Sequence, residues 1–408
     1  MISGMTIKNF KCFDNFKIAD FAPITILGGK NNIGKSSVLE AVLVQNVFIQ
    51  PNYFAFLMNL HNELFTKDIK PYKVWDQLFF NTFESDSFEI SYERPFLTIT
   101  NQNKKDTVSD SLFNIKSYSE LNNNKKITFD KCTIEFKKIY DNFGIFQNEL
   151  AGSLLNQEYG SDPLKNRSYS TLHIDLISKT QKKSGKCQIH PNGIMFTPDN
   201  IEDNSLFSEA SLPQLWPFEN IVIFKNVFSN SQNIAEWLSK INLNEDKKKI
   251  LISTLQLIEP KITSVSTVID QGVSSVYVSM KGEDGLDKLI PANYMGDGFN
   301  KIFQLLLTVM SLPNGILVID EFENGLHYEL YEEVLLNLFK IALSVNCQII
   351  MTTHNRDLVE SSLISMKKLG CEDLLCYQRI EINNGKHNSI VYHGDDLEFP
   401  FNANLEIR

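Results

Sequence analysis

Three groups of residues in this 408-residue chain have the types and spacing that phosphate chemistry requires. The first is Gly29-x-x-x-x-Gly34-Lys35-Ser36, inside the run Ile24 to Ser37. Glycines at that spacing let consecutive backbone N–H groups converge on phosphate oxygens, and a following helix start adds its positive dipole end. Lys35 would then reach the β- and γ-phosphates, and Ser36 would hold Mg²⁺. Gly29, Asn31, Asn32, Gly34, Lys35, Ser36 and Ser37 make up this candidate cradle. The second group is Asp320-Glu321, directly after Ile316-Leu317-Val318-Ile319. There Asp320 would support the metal and Glu321 would activate a water for attack on the γ-phosphate. The third is His354, placed by Thr352-Thr353 just beyond Gln348 to Met351, where it would contact the γ-phosphate or the attacking water.

Each group follows a short apolar, β-branched run of the kind that forms a parallel strand buried on both faces. Ligands of open α/β sheets bind outside the carboxyl ends of such strands, so one sheet edge would gather all three. The pattern predicts an α/β fold with a mixed sheet, an antiparallel β lobe and a short helical hairpin. Period-2 alternation from Met5 to Phe13 and from Phe16 to Ile18 predicts a β-hairpin before the loop. A helix from Ser36 to Ile49 and a second from Ala55 to Phe65 should follow. Phe88 to Tyr92, Phe96 to Thr100, Thr128 to Phe136 and Thr171 to Ile177 read as short strands of the β lobe. Helical periodicity returns from Ser229 to Ile258, broken near Asn242 to Asp246, and continues in Asn300 to Ser311 and Tyr331 to Leu343. The corresponding division is 1–100 for the first part of the ATPase core, 101–213 for a β-rich insertion, 214–285 for hairpin and strands, and 286–408 for the rest of the core.

The chain is 43% apolar, enough for a large core. Its net charge of −10 argues against broad coating of nucleic acid, although a local basic face on DNA is compatible with it. The six cysteines show neither Cys-x-x-Cys pairs nor the density of a disulfide framework. That pattern, with no signal-like start and no apolar stretch of about 18 residues, points to the cytoplasm and away from membranes.

IKNFKCF near the start, GGKNNIGKSS, MGDGFNKI, ILVIDEFENGLH and MTTHNRD, in that order, resemble the ABC-class ATPase heads of the RecF, SMC and OLD group. The resemblance implies the fold of an ABC-type P-loop ATPase head, with ATP and Mg²⁺ as cofactors. It also implies that Gly296, Asp297 and Gly298 are a signature motif presented by one subunit to ATP held on another, with Asn324 to His327 as the D-loop and His354 as the switch histidine. Met295 stands where many such signatures have serine. A Q-loop between Gln77 and Asn81 is a further expectation. The hairpin lacks the sustained heptads of a coiled-coil arm, so within the group the chain resembles the compact ATPases of anti-phage defence operons, of the PARIS (AriA) and Septu (PtuA) kinds. About 50 residues follow His354, too few for the roughly 100-residue Toprim nuclease domain of OLD proteins. The resemblance thus implies a homo-oligomeric ATPase sensor or scaffold without nuclease activity of its own. It would control a separately encoded effector, a nuclease of Toprim or HNH type, and respond to a phage-encoded trigger. The alternative is a RecF-like DNA-repair ATPase; retained Glu321 argues against a binding module without turnover.

Overall fold

The computed structural model of the chain describes residues 1–44, 78–80, 87–99, 125–139, 171–177, 182–190, 193–198, 221–224, 231–270, 273–283 and 286–397. The expected helix from Ala55 to Phe65, Gln77 and Asn81 of the Q-loop expectation, and much of 101–213 lie outside the described residues.

Strands β1 (Gly4–Phe10) and β2 (Phe13–Ile18) form the expected hairpin. Alternation sends Met5 and Ile7 of β1 and Phe16 and Ile18 of β2 into the core. β3 (Ile24–Gly28) is buried along its whole length and leads through the glycine loop into α1 (Lys35–Leu43). β4 (Ser87–Ile99), β5 (Lys125–Ile139), β6 (Thr171–Ile177), β7 (Lys182–His190) and β8 (Gly193–Pro198) extend the hairpin into a seven-stranded antiparallel sheet, ordered β2-β1-β4-β5-β6-β7-β8. The two runs expected at Phe88 to Tyr92 and Phe96 to Thr100 are one strand, β4. β1 pairs with β4 only as far as Glu93, so Pro95 lies beyond the β1 ladder and its missing N–H leaves no gap there.

The second sheet carries the candidate chemistry. β9 (Ile221–Phe224), β13 (Ile316–Ile319), β14 (Gln348–Thr352), β3 and β15 (Leu375–Asn383) run parallel, and β16 (Lys386–His393) closes the β15 edge antiparallel. The N-terminal strand β3 therefore lies between two C-terminal strands, β14 and β15. Ile316, Val318 and Ile350 face the core shared with α1 and the antiparallel sheet, whereas Leu317, Ile319, Ile349 and Met351 face a second core of helices. Burial of both faces is why these strands read as unbroken apolar runs. The second core is built from α2 (Ser231–Asn242), α3 (Glu245–Leu255), α4 (Asp297–Met310), α5 (Tyr331–Ser344) and α6 (Arg356–Leu369). Asn244 makes the break between α2 and α3, because its side chain accepts the Lys247 N–H (3.0 Å) and caps α3. A three-stranded meander, β10 (Ile262–Asp270), β11 (Val273–Lys281) and β12 (Asp287–Pro291), packs beside that hairpin. The buried Gln348 side chain pairs with both backbone groups of Ile2 at 2.8 Å, tying the first residues of the chain to β14.

Candidate functional site

Register decides what meets at the sheet edge. Leu27 of β3 pairs with Thr352 of β14, and Met351 pairs with Ile319 of β13. The residues immediately beyond, Gly29, Thr353-His354 and Asp320-Glu321, emerge side by side at the carboxyl ends.

The loop from Gly29 to Gly34 is shaped by its two glycines. Gly29 has φ 132°, and a Cβ there would lie 2.4 Å from the Ile380 carbonyl oxygen. Gly34 has φ 101°, and its Cβ would lie 2.6 Å from Cys12 Sγ and 2.7 Å from the Phe13 ring. Both positions combine a left-handed or mirror conformation with a wall where a side chain would go. Asn32 takes φ 60°, which Asn tolerates, and it and Asn31 are exposed. No side chain caps α1 and its first turn holds no acid, so its N-terminal N–H groups suit an anionic ligand. Ser37 lies along that turn within hydrogen-bond reach of Cys12, whose thiol pKa burial pushes up.

Lys35 is 5% exposed, and its Nζ donates to the carbonyls of Gly29 and Lys30, both at 2.9 Å, lying 3.3 Å from His354 Nδ1. Burial lowers its pKa, while the charges of Asp320, Glu323 and Glu321 pull it back up. The cation thus sits over the loop, supported by the loop's own carbonyls. Asp320 Oδ1 accepts from Thr352 Oγ1 at 2.7 Å and from Ser36 Oγ at 3.2 Å. A hydroxyl and a carboxylate placed against each other form the hard-oxygen set that Mg²⁺ prefers, so these residues fit that ion. Glu321 has φ 51°, unusual outside Gly and Asn. Two bonds hold it there: its N–H donates to Thr352 Oγ1 (2.8 Å), and its Oε2 accepts from Asn324 Nδ2 (2.6 Å). Glu323 turns back to accept the His354 N–H at 2.6 Å.

Gly296, Asp297 and Gly298 form the start of α4. Gly296 is the N-cap, Asn300 Nδ2 donates to the Met295 carbonyl (2.6 Å), and Gly298 packs against the Gly325 carbonyl. Gly296, Asp297, Tyr294, Asn324 and Tyr328 are exposed, so this end of the molecule presents the α4 start and the 324–328 turn to solvent.

Three residues act in this geometry without having stood out in the sequence. Thr352 is the hub between Asp320 and the Glu321 backbone. Glu323 supplies a third carboxylate. Lys301, 6% exposed on α4, donates to the carbonyls of Phe322 (2.7 Å) and Asn324 (2.5 Å) and lies 3.5 Å from that of Glu321; burial lowers its pKa to about 8. A lysine in a helix normally signals a solvent face. The clue available was that Lys301 stands among Phe299, Ile302, Phe303 and Leu305, in a helix too apolar to have much free surface.

The chain matches the family model of the AAA ATPase domain (AAA_15) over residues 1–359. It is 24% identical over 415 residues to an ATP/GTP phosphatase of Helicobacter pylori, covering 98% of each chain. A match of 76 residues, 32% identical, to the DNA replication and repair protein RecF of Acholeplasma laidlawii spans 18% of this chain and 19% of that one. Among solved structures, an SMC head bound to the C-winged helix domain of ScpA is similar at 11% identity and a TM-score of 0.49, covering 97% of this chain and 99% of that one. The SMC head of Thermotoga maritima gives 12% and 0.39, with 96% and 99% covered.

Proposed function

The chain belongs to the AAA ATPase domain family, and we propose that it is an ATP-switched, self-associating sensor or scaffold whose subunits clasp ATP between them. The observation that carries this reading is a split. Lys35, Ser36, Asp320, Glu321 and His354 converge at one sheet edge, while Gly296 and Asp297 lie exposed and Gly298 half-buried at the start of a helix whose hydrogen bonds run to the 321–324 turn. A single subunit thus offers a cradle and, separately, an uncapped glycine-rich helix start suited to the phosphates held on a neighbour.

In this reading the loop N–H groups and Lys35 bind the phosphates, with Asn31, Asn32 and Ser37 lining the cradle. Ser36 and Asp320 hold Mg²⁺, which when bound neutralises phosphate charge. Thr352 keeps the Asp320 carboxylate aimed at Ser36. Glu321 accepts the proton of the attacking water, and His354 lies beside Lys35 where the terminal phosphate would sit. Lys35 must leave the Gly29 and Lys30 carbonyls to meet a phosphate, and the three neighbouring carboxylates keep it charged as it does so.

The wider role is that of a cytoplasmic defence ATPase controlling a separately encoded nuclease. Its support is the brevity of the hairpin, with helices of 12 and 11 residues in place of an arm, together with the motif resemblance. Among the described residues no helix is long and apolar enough to cross a membrane.

The test is Glu321→Gln, which keeps side-chain size and removes the proton acceptor. Turnover should fall by about 10² or more, of the order of a lost general base, while ATP binding persists and an ATP-dependent increase in solution mass outlasts that of the wild type. Wild-type turnover removes Glu321 from its role; absence of any ATP-dependent mass change removes ATP from the subunit interface. Copurification of the native operon's products tests the effector, and a salt-sensitive stimulation of turnover by DNA would favour a RecF-like role instead.

A further inference from the structure

Glu323 carries two contrasting oxygens. Oε1 accepts the His354 N–H at 2.6 Å, a charge-assisted bond across 31 residues of sequence. Oε2 is buried and has no hydrogen-bond partner among the described residues. An unpaired buried carboxylate oxygen is costly, and structures retain such a group where another state satisfies it. The surroundings show which state that is. Glu323 acts electrostatically on Lys35 more strongly than Glu321 does, and it is the leading carboxylate acting on Lys301. It therefore stands between the glycine loop, the α4 helix and the His354 turn. Glu321, by contrast, is exposed and already bonded to Asn324.

We infer that Glu323 is a positioning residue of the hydrolytic centre, with one oxygen fixing the His354 turn to the Asp320-Glu321 turn and the other seating a water of the ATP-bound site. The inference rests on the reading of this edge as an ATPase centre, but its first half concerns the nucleotide-free protein alone. Without the Oε1 bond, His354 would hang from a turn tied down on the Thr353 side, where the Thr353 N–H donates to the Leu27 carbonyl (3.1 Å). With it, His354 and the metal-side acids form one unit.

Two substitutions separate the oxygens. In Glu323→Gln the amide has one oxygen and one NH₂. The His354 N–H is a donor, so the amide oxygen must face it and the NH₂ is forced into the place of Oε2, where a water would lose its acceptor. Glu323→Ala removes both oxygens. Hydrogen exchange of the His354 amide in nucleotide-free protein should be unchanged in Glu323→Gln and at least 10-fold faster in Glu323→Ala. ATP turnover should fall at least 10-fold in both, with ATP affinity within about 3-fold of wild type. Unaltered His354 exchange in Glu323→Ala overturns the positioning role, and wild-type turnover in Glu323→Gln overturns the water seat. Loss of ATP binding in Glu323→Gln also overturns the proposal, since Glu323 would then belong to nucleotide binding. Failure of the ATPase reading itself would show separately, as intact ATP binding in Lys35→Ala.

Discussion

Replacing Lys301 by Met should lower stability at neutral pH by far less than the loss of two buried hydrogen bonds alone would, while impairing turnover. Two opposing effects set the size. Burial lowers the Lys301 pKa from 10.5 to about 8. At about 1.4 kcal/mol per pH unit, keeping this ammonium charged inside the protein costs about 3 kcal/mol at pH 7. Met fills a similar volume and removes that cost. It also strips a donor from the buried carbonyls of Phe322 and Asn324, which lose bonds of 2.7 and 2.5 Å, a loss of about 1–3 kcal/mol for each group left unsatisfied. With the two carbonyls together costing about 2–6 kcal/mol, the terms partly cancel, and the unfolding free energy should fall by no more than about 3 kcal/mol at pH 7. The pH dependence will not cancel. Between pH 8 and 10.5 the unfolded wild type holds a proton on Lys301 that the folded protein has released, so stability rises with pH across this window from this group. Wild type should therefore gain up to about 3 kcal/mol relative to Lys301→Met between pH 7 and 10.5. The 321–324 turn loses its anchor to α4, and turnover should drop about 10-fold or more, an effect of the order of 1.4 kcal/mol on the barrier. Urea unfolding of both proteins at pH 7 and 9.5, with ATP turnover at pH 7, tests both halves. A constant stability difference across pH would refute the buried-charge argument, and unaltered turnover would refute the anchoring.

Lys35→Ala should weaken ATP binding at least 10-fold while leaving the denaturation midpoint close to wild type, because the lysine touches loop carbonyls rather than a packed core; equal nucleotide affinity, measured by calorimetry, would count against the cradle. Gly34→Ala should destabilise by about 2–5 kcal/mol, combining the left-handed backbone cost with overlap on Cys12 and Phe13. Adding Cys12→Ala should recover only the part of the overlap made with Cys12, leaving that with Phe13 and the backbone cost, and a double variant as stable as wild type would show that the φ of 101° carries no strain.

The place of the candidate site was legible in sequence wherever a doubly buried strand stopped abruptly at polar residues. Ile316 to Ile319 before Asp320, and Gln348 to Met351 before Thr352, announced both the strand and the edge it points to. The hairpin break at Asn244 was legible because capping is local. What escaped depends on contacts distant in sequence. Nothing near Pro95 says that β1 stops covering β4 at Glu93, so β4 looked like two strands. Nothing near Lys301 says that its ammonium will meet carbonyls about twenty residues onward. Glu323 reads as one more acid in an acidic turn until folding brings His354 against it.

The place of β3 between β14 and β15 has a consequence during synthesis. The strand that launches the glycine loop leaves the ribosome on the order of 300 residues ahead of both of its neighbours. At about 5–20 residues per second, that strand waits roughly 20 to 60 s with both of its ladders unmade. The β1–β2 hairpin and the antiparallel sheet can assemble meanwhile, but the parallel sheet closes only once β15 has emerged. Until then Ile24, Ile26 and Leu27 are unprotected apolar surface with open strand edges, which makes the nascent chain a natural client for a holding chaperone. An N-terminal fragment ending before β14 would carry every residue of the glycine loop and neither of the two strands that flank β3.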